Sequence, residues 1–284
     1  MTNQQQTAQP ADAIEQKNAT SPKLSGLRYV PRWIGGVLCY IAFGLGGLLS
    51  SLTILPILRF WPGKKTVRVA RVQKAVSRMF RAFVAMLSFA GVIAVSTKNI
   101  EALQQTKGQI IIANHPTLVD VVVLISLMPN AGCIVKQGLW RNPFIRGVLA
   151  SAGYIPNRGA DWLLHDCRQV LHTDTNLIIF PEGTRTLTGN VVNSFARGAA
   201  NIALRTQTDI LPVVLRTDVA GLTKQQPWYQ IPRQTINMSV EIGTSMSYLL
   251  YDAQQGNEAK MARQLTRDLQ QHYLDTLKQP IKSY

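Results

Sequence analysis

The chain has 284 residues, 46% of them hydrophobic, and a formal net charge of +15 from 30 Lys and Arg against 15 Asp and Glu. That apolar content excludes a disordered polybasic protein, and a single long apolar run excludes a multi-span transporter. The charge calls for an anionic partner, and its placement narrows the choice. Residues 1–100 hold 13 basic and 2 acidic side chains, net +11, whereas residues 101–284 hold 17 and 13, net +4. The excess lies beside the most apolar segment, which favours lipid over nucleic acid.

Residues 1–26 are rich in Gln, Thr, Ala, Asn, Pro and Ser. They predict a flexible tail without the apolar core of a signal peptide. From Trp33 to Leu58 there are 26 consecutive uncharged residues between Arg32 and Arg59, with Trp33 and Trp61 at the two ends. The run is long enough to span a hydrocarbon core. Five glycines and Pro56 also fit a bent, half-inserted helix, and a buried core helix is the third reading.

Next come Lys64, Lys65, Arg68, Arg71, Lys74, Arg78 and Arg81, with no acid between Arg59 and Lys98. At 3.6 residues per turn they oppose Val69, Val72, Val76, Met79, Phe80 and Phe83. This predicts a basic amphipathic helix over 64–95 that lies in an anionic headgroup layer, or alternatively a solvated face over a protein core. Residues 27–99 are thus expected to be a membrane anchor. Four basic residues precede the apolar run and eight follow it (Arg59 to Arg81), which expects residues 100–284 on the cytoplasmic face of the cell membrane.

After residue 100 short apolar runs alternate with helical patterns. Strands are predicted at 109–113, 133–136, 154–156, 176–180, 210–215 and 236–242. Helices are predicted near 118–128, 141–152, 160–173, 195–206 and 257–278. The alternation predicts an α/β domain with a mostly parallel central sheet flanked by helices, its ligand site in the strand-to-helix loops. Cys39, Cys133 and Cys167 show no metal-binding or disulfide spacing and read as packing residues. His165 and His172 read as solvent-facing, so no metal site is expected.

Two blocks carry chemistry. Asn114-His115-Pro116-Thr117-Leu118-Val119-Asp120 follows the first strand of this domain. Pro116 suits a first helical turn and holds His115 outside it, where it can face Asp120 as a base and its orienting carboxylate. Thr117 and Asp120 also fit a helix cap. The second block, Phe180-Pro181-Glu182-Gly183-Thr184-Arg185, closes the strand at 176–180. Gly183 can adopt positive φ and Arg185 offers a bidentate fork to phosphate, though an ordinary turn with a surface ion pair has the same composition.

Taken together, the NHxxxxD block and the complete FPEGTR block 65 residues later resemble the glycerolipid acyltransferases, especially the lysophosphatidic acid acyltransferases. The resemblance covers residues 100–245. Weaker blocks follow in the same order: Lys136, Gly153 to Arg158, Phe195 to Gly198 with Arg197, and Ile210 to Val213. The resemblance implies that His115, held by Asp120, deprotonates a glycerol hydroxyl. That hydroxyl attacks the thioester of an acyl-CoA or acyl carrier protein co-substrate, with no other cofactor. It further implies that Glu182, Gly183, Thr184, Arg185 and Arg158 bind the phosphate of a lysophospholipid acceptor, most simply 1-acylglycerol 3-phosphate, with Lys136 and Arg197 in supporting positions. Pro156 and Asn157 depart from the family pattern, which has an acid before its third-block Arg. Gln137 stands close after Lys136, where the family tends towards an acid two places on. Membrane lipids are the expected partners and nucleic acid is not. Other acceptors, such as glycerol 3-phosphate or another lysolipid, fit the same residues. A non-catalytic lipid-binding protein is the remaining reading.

Overall fold

A computed structural model describes residues 23–141, 143–252 and 257–279. Most of the tail expected at 1–26 therefore lies outside the described residues. In chain order the elements are α1 (Tyr29–Leu52), α2 (Ile54–Phe60), α3 (Lys65–Phe89), β1 (Ile93–Lys98), α4 (Ile100–Gln105), β2 (Ile110–Ala113), α5 (Asp120–Leu127) and β3 (Ala131–Lys136). There follow α6 (Pro143–Ser151), β4 (Ile155–Asn157), α7 (Ala160–Leu171), β5 (Asn176–Ile179), α8 (Gly198–Thr206), β6 (Ile210–Thr217), β7 (Ile236–Ile242), α9 (Leu249–Asp252) and α10 (Glu258–Lys278).

The strands form one sheet in the order β1-β7-β6-β2-β5-β3-β4. Five neighbouring strands, β6 to β4, are mutually parallel, and β7 turns antiparallel to β6 while pairing parallel with β1. The expected mostly parallel α/β sheet is the observed one. β2 and β5 lie at its centre, buried at every position, as strands covered on both faces must be. Ile111 and Ala113 of β2 join α3, α5 and α6 in one core; Ile110 and Ile112 join α7, α8 and α10 in the other. Tyr273 of α10 ties the second layer down, donating to the Ile112 carbonyl at 2.6 Å and accepting from the Val213 N–H at 3.2 Å.

This connectivity creates a crevice. The chain leaves β2 for α5 on one face and leaves β5 for α8 on the other. Adjacent parallel strands whose following helices go to opposite faces open a cleft beyond their carboxyl ends. Both motif blocks follow these two strands.

The N-terminal third packs against the domain that follows it. The apolar run breaks at Thr53 into α1 and α2, and Pro56 falls in the first turn of α2, where its missing N–H has no helical partner to lose. Gly26–Phe60 is the one stretch among the described residues long and apolar enough to cross a membrane. Its inner side is nevertheless docked on the domain. Tyr29 donates to the Ile231 carbonyl, Trp33 Nε1 to the Tyr229 carbonyl, and Arg32 to the Arg233 carbonyl and Thr235 hydroxyl. Phe43 stacks on Phe83, with ring centroids 4.1 Å apart. The outer side presents Leu38, Ile41, Leu45, Leu49 and Leu52 at helical spacing, 45–70% exposed.

α3 requires a correction. Its apolar face does not lie free for a headgroup layer: Val72, Val76, Phe83 and Leu87 are buried in the protein core. Burial of four such side chains is worth about 1.5–3 kcal/mol each before chain entropy is counted. The opposite face, with Lys65, Arg71, Lys74 and Arg78, remains exposed. The helix also ends at Phe89 rather than 95, and Ile93–Lys98 pairs with β7 as an edge strand. α3 and β1 thus pack with the elements that follow residue 100, across the division expected at 99.

Candidate active site

The loop after β2 is fixed by its own polar side chains. Asn114 acts as a backbone extension: its Nδ2 donates to the Leu215 carbonyl and its Oδ1 accepts the Leu215 N–H, each at 2.8 Å. His115 then emerges at the crevice with its side chain 17% exposed, while Asp120 is fully buried at the first residue of α5. His115 Nδ1 lies 2.8 Å from Asp120 Oδ2. The same oxygen accepts the Thr117 N–H at 2.7 Å, and Oδ1 accepts the Thr117 hydroxyl. The cap and the His–Asp pair, which are alternatives in the sequence, coexist on one carboxylate.

The electrostatics follow from this geometry. Burial pushes the Asp120 carboxyl above its ordinary range, and the hydrogen bonds from His115 and Thr117 pull the other way. A carboxylate acceptor on Nδ1 places the ring proton there and leaves the Nε2 lone pair free to accept another. Phe180 packs against the imidazole at 4.4 Å between ring centroids, restricting its rotation.

The loop after β5 meets the first loop directly. Glu182, 8% exposed, accepts the His115 backbone N–H at 2.8 Å, the Thr186 hydroxyl on both oxygens, and the Asn193 N–H at 2.8 Å. The Thr186 N–H returns to the His115 carbonyl at 2.7 Å. Both oxygens of the Glu182 carboxylate are thus engaged by donors from the protein. Gly183 has φ +65°, the positive value its loop needs. Thr184 beside it is half-buried. Arg185 Nη1 donates to the carbonyls of Leu222 and Thr223 at 3.1 and 2.7 Å, which anchors one edge of the guanidinium. Leu222, buried at φ +54°, also accepts the Leu118 N–H, so one strained residue joins both motif loops.

The remaining expected residues lie further out. Lys136 ends β3, one strand beyond β5 from β2, and Arg158 follows β4, the outermost strand, with β5 and β3 between it and β2. Arg158 pairs with Asp166 at 3.3 Å. Arg197 precedes α8 and is exposed. Cys133 and Cys167 are buried, which pushes both thiols up to about 12, so neither is a thiolate nucleophile at neutral pH. Among the described residues no His, Cys, Asp and Glu side chains cluster as a metal site.

Sequence reasoning missed Tyr40. It projects from α1 against Phe83 and Trp228, and its buried hydroxyl has no hydrogen-bond partner among the described residues. An uncharged residue inside a long apolar run carries no local signal of such a contact.

Comparison with known proteins agrees with this architecture. Residues 94–216 match the family described as Acyltransferase. The 1-acyl-sn-glycerol-3-phosphate acyltransferase of Helicobacter pylori is 35% identical over 39% of this chain and 49% of its own. That of Borreliella burgdorferi is 30% identical over 48% of this chain and 57% of its own. The chain thus spans about half the length of these curated relatives. The crystal structure of the 1-acyl-sn-glycerophosphate (LPA) acyltransferase PlsC from Thermotoga maritima superposes with a TM-score of 0.66. It covers 88% of this chain and all of that one at 18% identity, a likeness of fold. Both motif blocks lie within the matched segment, residues 94–216, and the strand order of that segment brings them together.

Proposed function

We propose that this protein is a membrane-associated O-acyltransferase that esterifies a lysophospholipid, most simply 1-acylglycerol 3-phosphate, from an acyl-CoA or acyl carrier protein thioester. The observation that carries the reading is the His115–Asp120 pair at the crevice between β2 and β5, with Nε2 left as the free ring nitrogen. Nε2 takes the proton of the acceptor hydroxyl as that oxygen attacks the thioester carbonyl. The tetrahedral intermediate collapses, expelling the thiolate, which recovers the proton from His115. Asp120 holds the tautomer and stabilises the imidazolium that forms between the two steps. Arg185, anchored by one edge, offers its other edge to the acceptor's phosphate.

The exposed apolar stripe of α1 and the exposed basic face of α3 support docking on an anionic leaflet, with α1 and α2 lying in the interface. The charge distribution supports the cytoplasmic face. The test is thiol release from acyl-CoA and acyl carrier protein against a panel of lyso-acceptors. Turnover that requires lysophosphatidate and is lost in His115→Ala supports the reading; turnover without any acceptor, or retained in His115→Ala, refutes it.

A further inference from the structure

None of the 18 described residues between β6 and β7, 218–235, lies in a helix or strand. Loops of that length are uncommon in a compact domain, and those that hold one shape ordinarily serve function. This one is a strap tied down at both ends. At 229–235 it is held by α1: Trp33, Tyr29 and Arg32 donate to the carbonyls of Tyr229, Ile231 and Arg233, and Arg32 also to the Thr235 hydroxyl at 3.0 Å. The Arg233 guanidinium returns over the Tyr29 ring, 5.0 Å from its centroid.

At 222–225 the same strap holds the site. The Leu222 carbonyl accepts the Leu118 N–H at 2.9 Å and Arg185 Nη1 at 3.1 Å, and the Thr223 carbonyl accepts the same Nη1 at 2.7 Å. Thr188, in the loop after β5, donates to Gln225 Oε1 at 3.2 Å. Two turns join the ends, closed by the Gln226 N–H on the Thr223 carbonyl at 3.2 Å and the Gln230 N–H on the Pro227 carbonyl at 3.0 Å.

A segment with no ladder of its own takes its shape from such contacts. Backbone carbonyls are the contact points at both ends, so a shift of the peptides at 229–233 passes through the two turns to those at 222 and 223. Little slack absorbs it. Leu222 is buried at φ +54°, a conformation that persists only where its surroundings impose it. At Gly221 an added Cβ would lie 2.7 Å from Ile236 Cδ1. A misplacement of about 1 Å in a group that orients a substrate can cost about a hundredfold in rate.

We infer that Tyr29, Arg32 and Trp33 are positioning residues for Arg185. Through the 218–235 strap they set where its guanidinium is anchored, and hence where its other edge meets the acceptor's phosphate. α1 thereby contributes to acceptor selection without touching the acceptor. The inference rests on the acyl-transfer reading for the reaction served.

The detergent-solubilised full-length protein is assayed without vesicles, on a short-chain lysophosphatidate below its micelle concentration and on the matching neutral monoacylglycerol. Tyr29→Phe/Arg32→Gln should raise KM for lysophosphatidate about threefold to tenfold, with kcat and the neutral acceptor's KM within about twofold of wild type. Trp33→Phe keeps an aromatic ring and should shift KM in the same direction, which covers the case of a double variant that fails to fold. In an Arg185→Ala background neither change should add to the KM, since the residue they position is gone. General loosening of the fold would instead lower kcat on both acceptors alike, in step with the melting temperature, and its effect would multiply with that of Arg185→Ala. Either result overturns the inference, as does an unchanged KM in both variants. Calorimetric binding of the lysophosphatidate without donor should weaken by the same factor. If the wild type binds it but transfers no acyl group, the acyl-transfer reading fails, while the calorimetry still decides the role of the strap.

Discussion

The backbone N–H of His115 donates to Glu182 Oε1 at 2.8 Å, so the second motif block holds the first in place through a carboxylate that also accepts from Thr186 and Asn193. Replacing Glu182 by Gln turns an amide group towards donors that need acceptors. Loss of a charge-assisted bond here should cost about 1.5–3 kcal/mol and lower the melting temperature by several degrees. With His115 loosened, kcat should fall while the acceptor's KM changes little. A rise in KM for phosphorylated acceptors alone, at full kcat, would instead support a phosphate-binding role for Glu182.

His115→Ala removes the base together with its hydrogen bond to buried Asp120 and its contact with Phe180, so kcat should fall about 10²–10⁴-fold with a modest fall in melting temperature. Asp120→Asn keeps the shape and presents an amide donor at one carboxylate position. It should lower kcat without unfolding the protein, since burial already disfavours the charged Asp120. Retained activity in Asp120→Asn would remove the orienting role.

Arg185 is held by two carbonyls, which leaves its other edge for a ligand. Arg185→Ala should raise KM for a phosphorylated acceptor about tenfold to a hundredfold, consistent with one charge-assisted pair. Arg185→Lys should recover little, because a single ammonium cannot bridge carbonyls and phosphate with the same fork. Equal effects on phosphorylated and neutral acceptors would refute the assignment.

Membrane docking divides into two contributions. Leu45→Ser/Leu49→Ser alters side chains that are each 63% exposed, so it should weaken vesicle binding at every salt concentration and leave the melting temperature intact. Changing Lys65, Arg71, Lys74 and Arg78 to Gln should weaken only the salt-sensitive part, by about 1 kcal/mol per residue near an anionic surface. Vesicle binding that survives both sets would place the membrane contact elsewhere. Gly36→Leu offers a control on docking within the protein: even a Cβ there would lie 2.8 Å from Ile231 Cδ1, so α1 must shift off the 229–233 loop.

Partial burial of His272 in α10 lowers its pKa, only partly offset by Asp275 and Glu241. Its Nε2 has no hydrogen-bond partner among the described residues. The folded state therefore prefers the neutral ring, and the unfolded chain binds the proton first. The resulting stability is present above the unfolded-state pKa of about 6.5 and declines as pH falls below it. Urea midpoints at pH 7.5 and 5.5 should drop further for the wild type than for His272→Gln. Equal drops would show that other groups dominate the acid response.

Much of the α/β fold is legible in the chain. β2 and β5 are short apolar runs bounded by polar loops, and α10 is capped by Asn257, whose side chain accepts the Ala259 N–H at 2.9 Å. Such signals are local and survive without knowledge of neighbours. β1 was not legible, because Val92 to Val95 continue the apolar texture of α3, and only pairing with β7 distinguishes strand from helix there.

Sequence by itself determined the alternation of strands and helices, the two motif blocks and the asymmetric charge, because these rest on side-chain chemistry at short spacing. Tertiary structure decided which surfaces are already occupied. Val72, Val76 and Phe83 face protein rather than lipid, Glu182 holds the His115 loop, and Tyr40 packs on Phe83 and Trp228 from distant parts of the chain. An apolar face or a carboxylate is satisfied equally well by several partners. Which one it meets depends on chain crossings that no local pattern encodes.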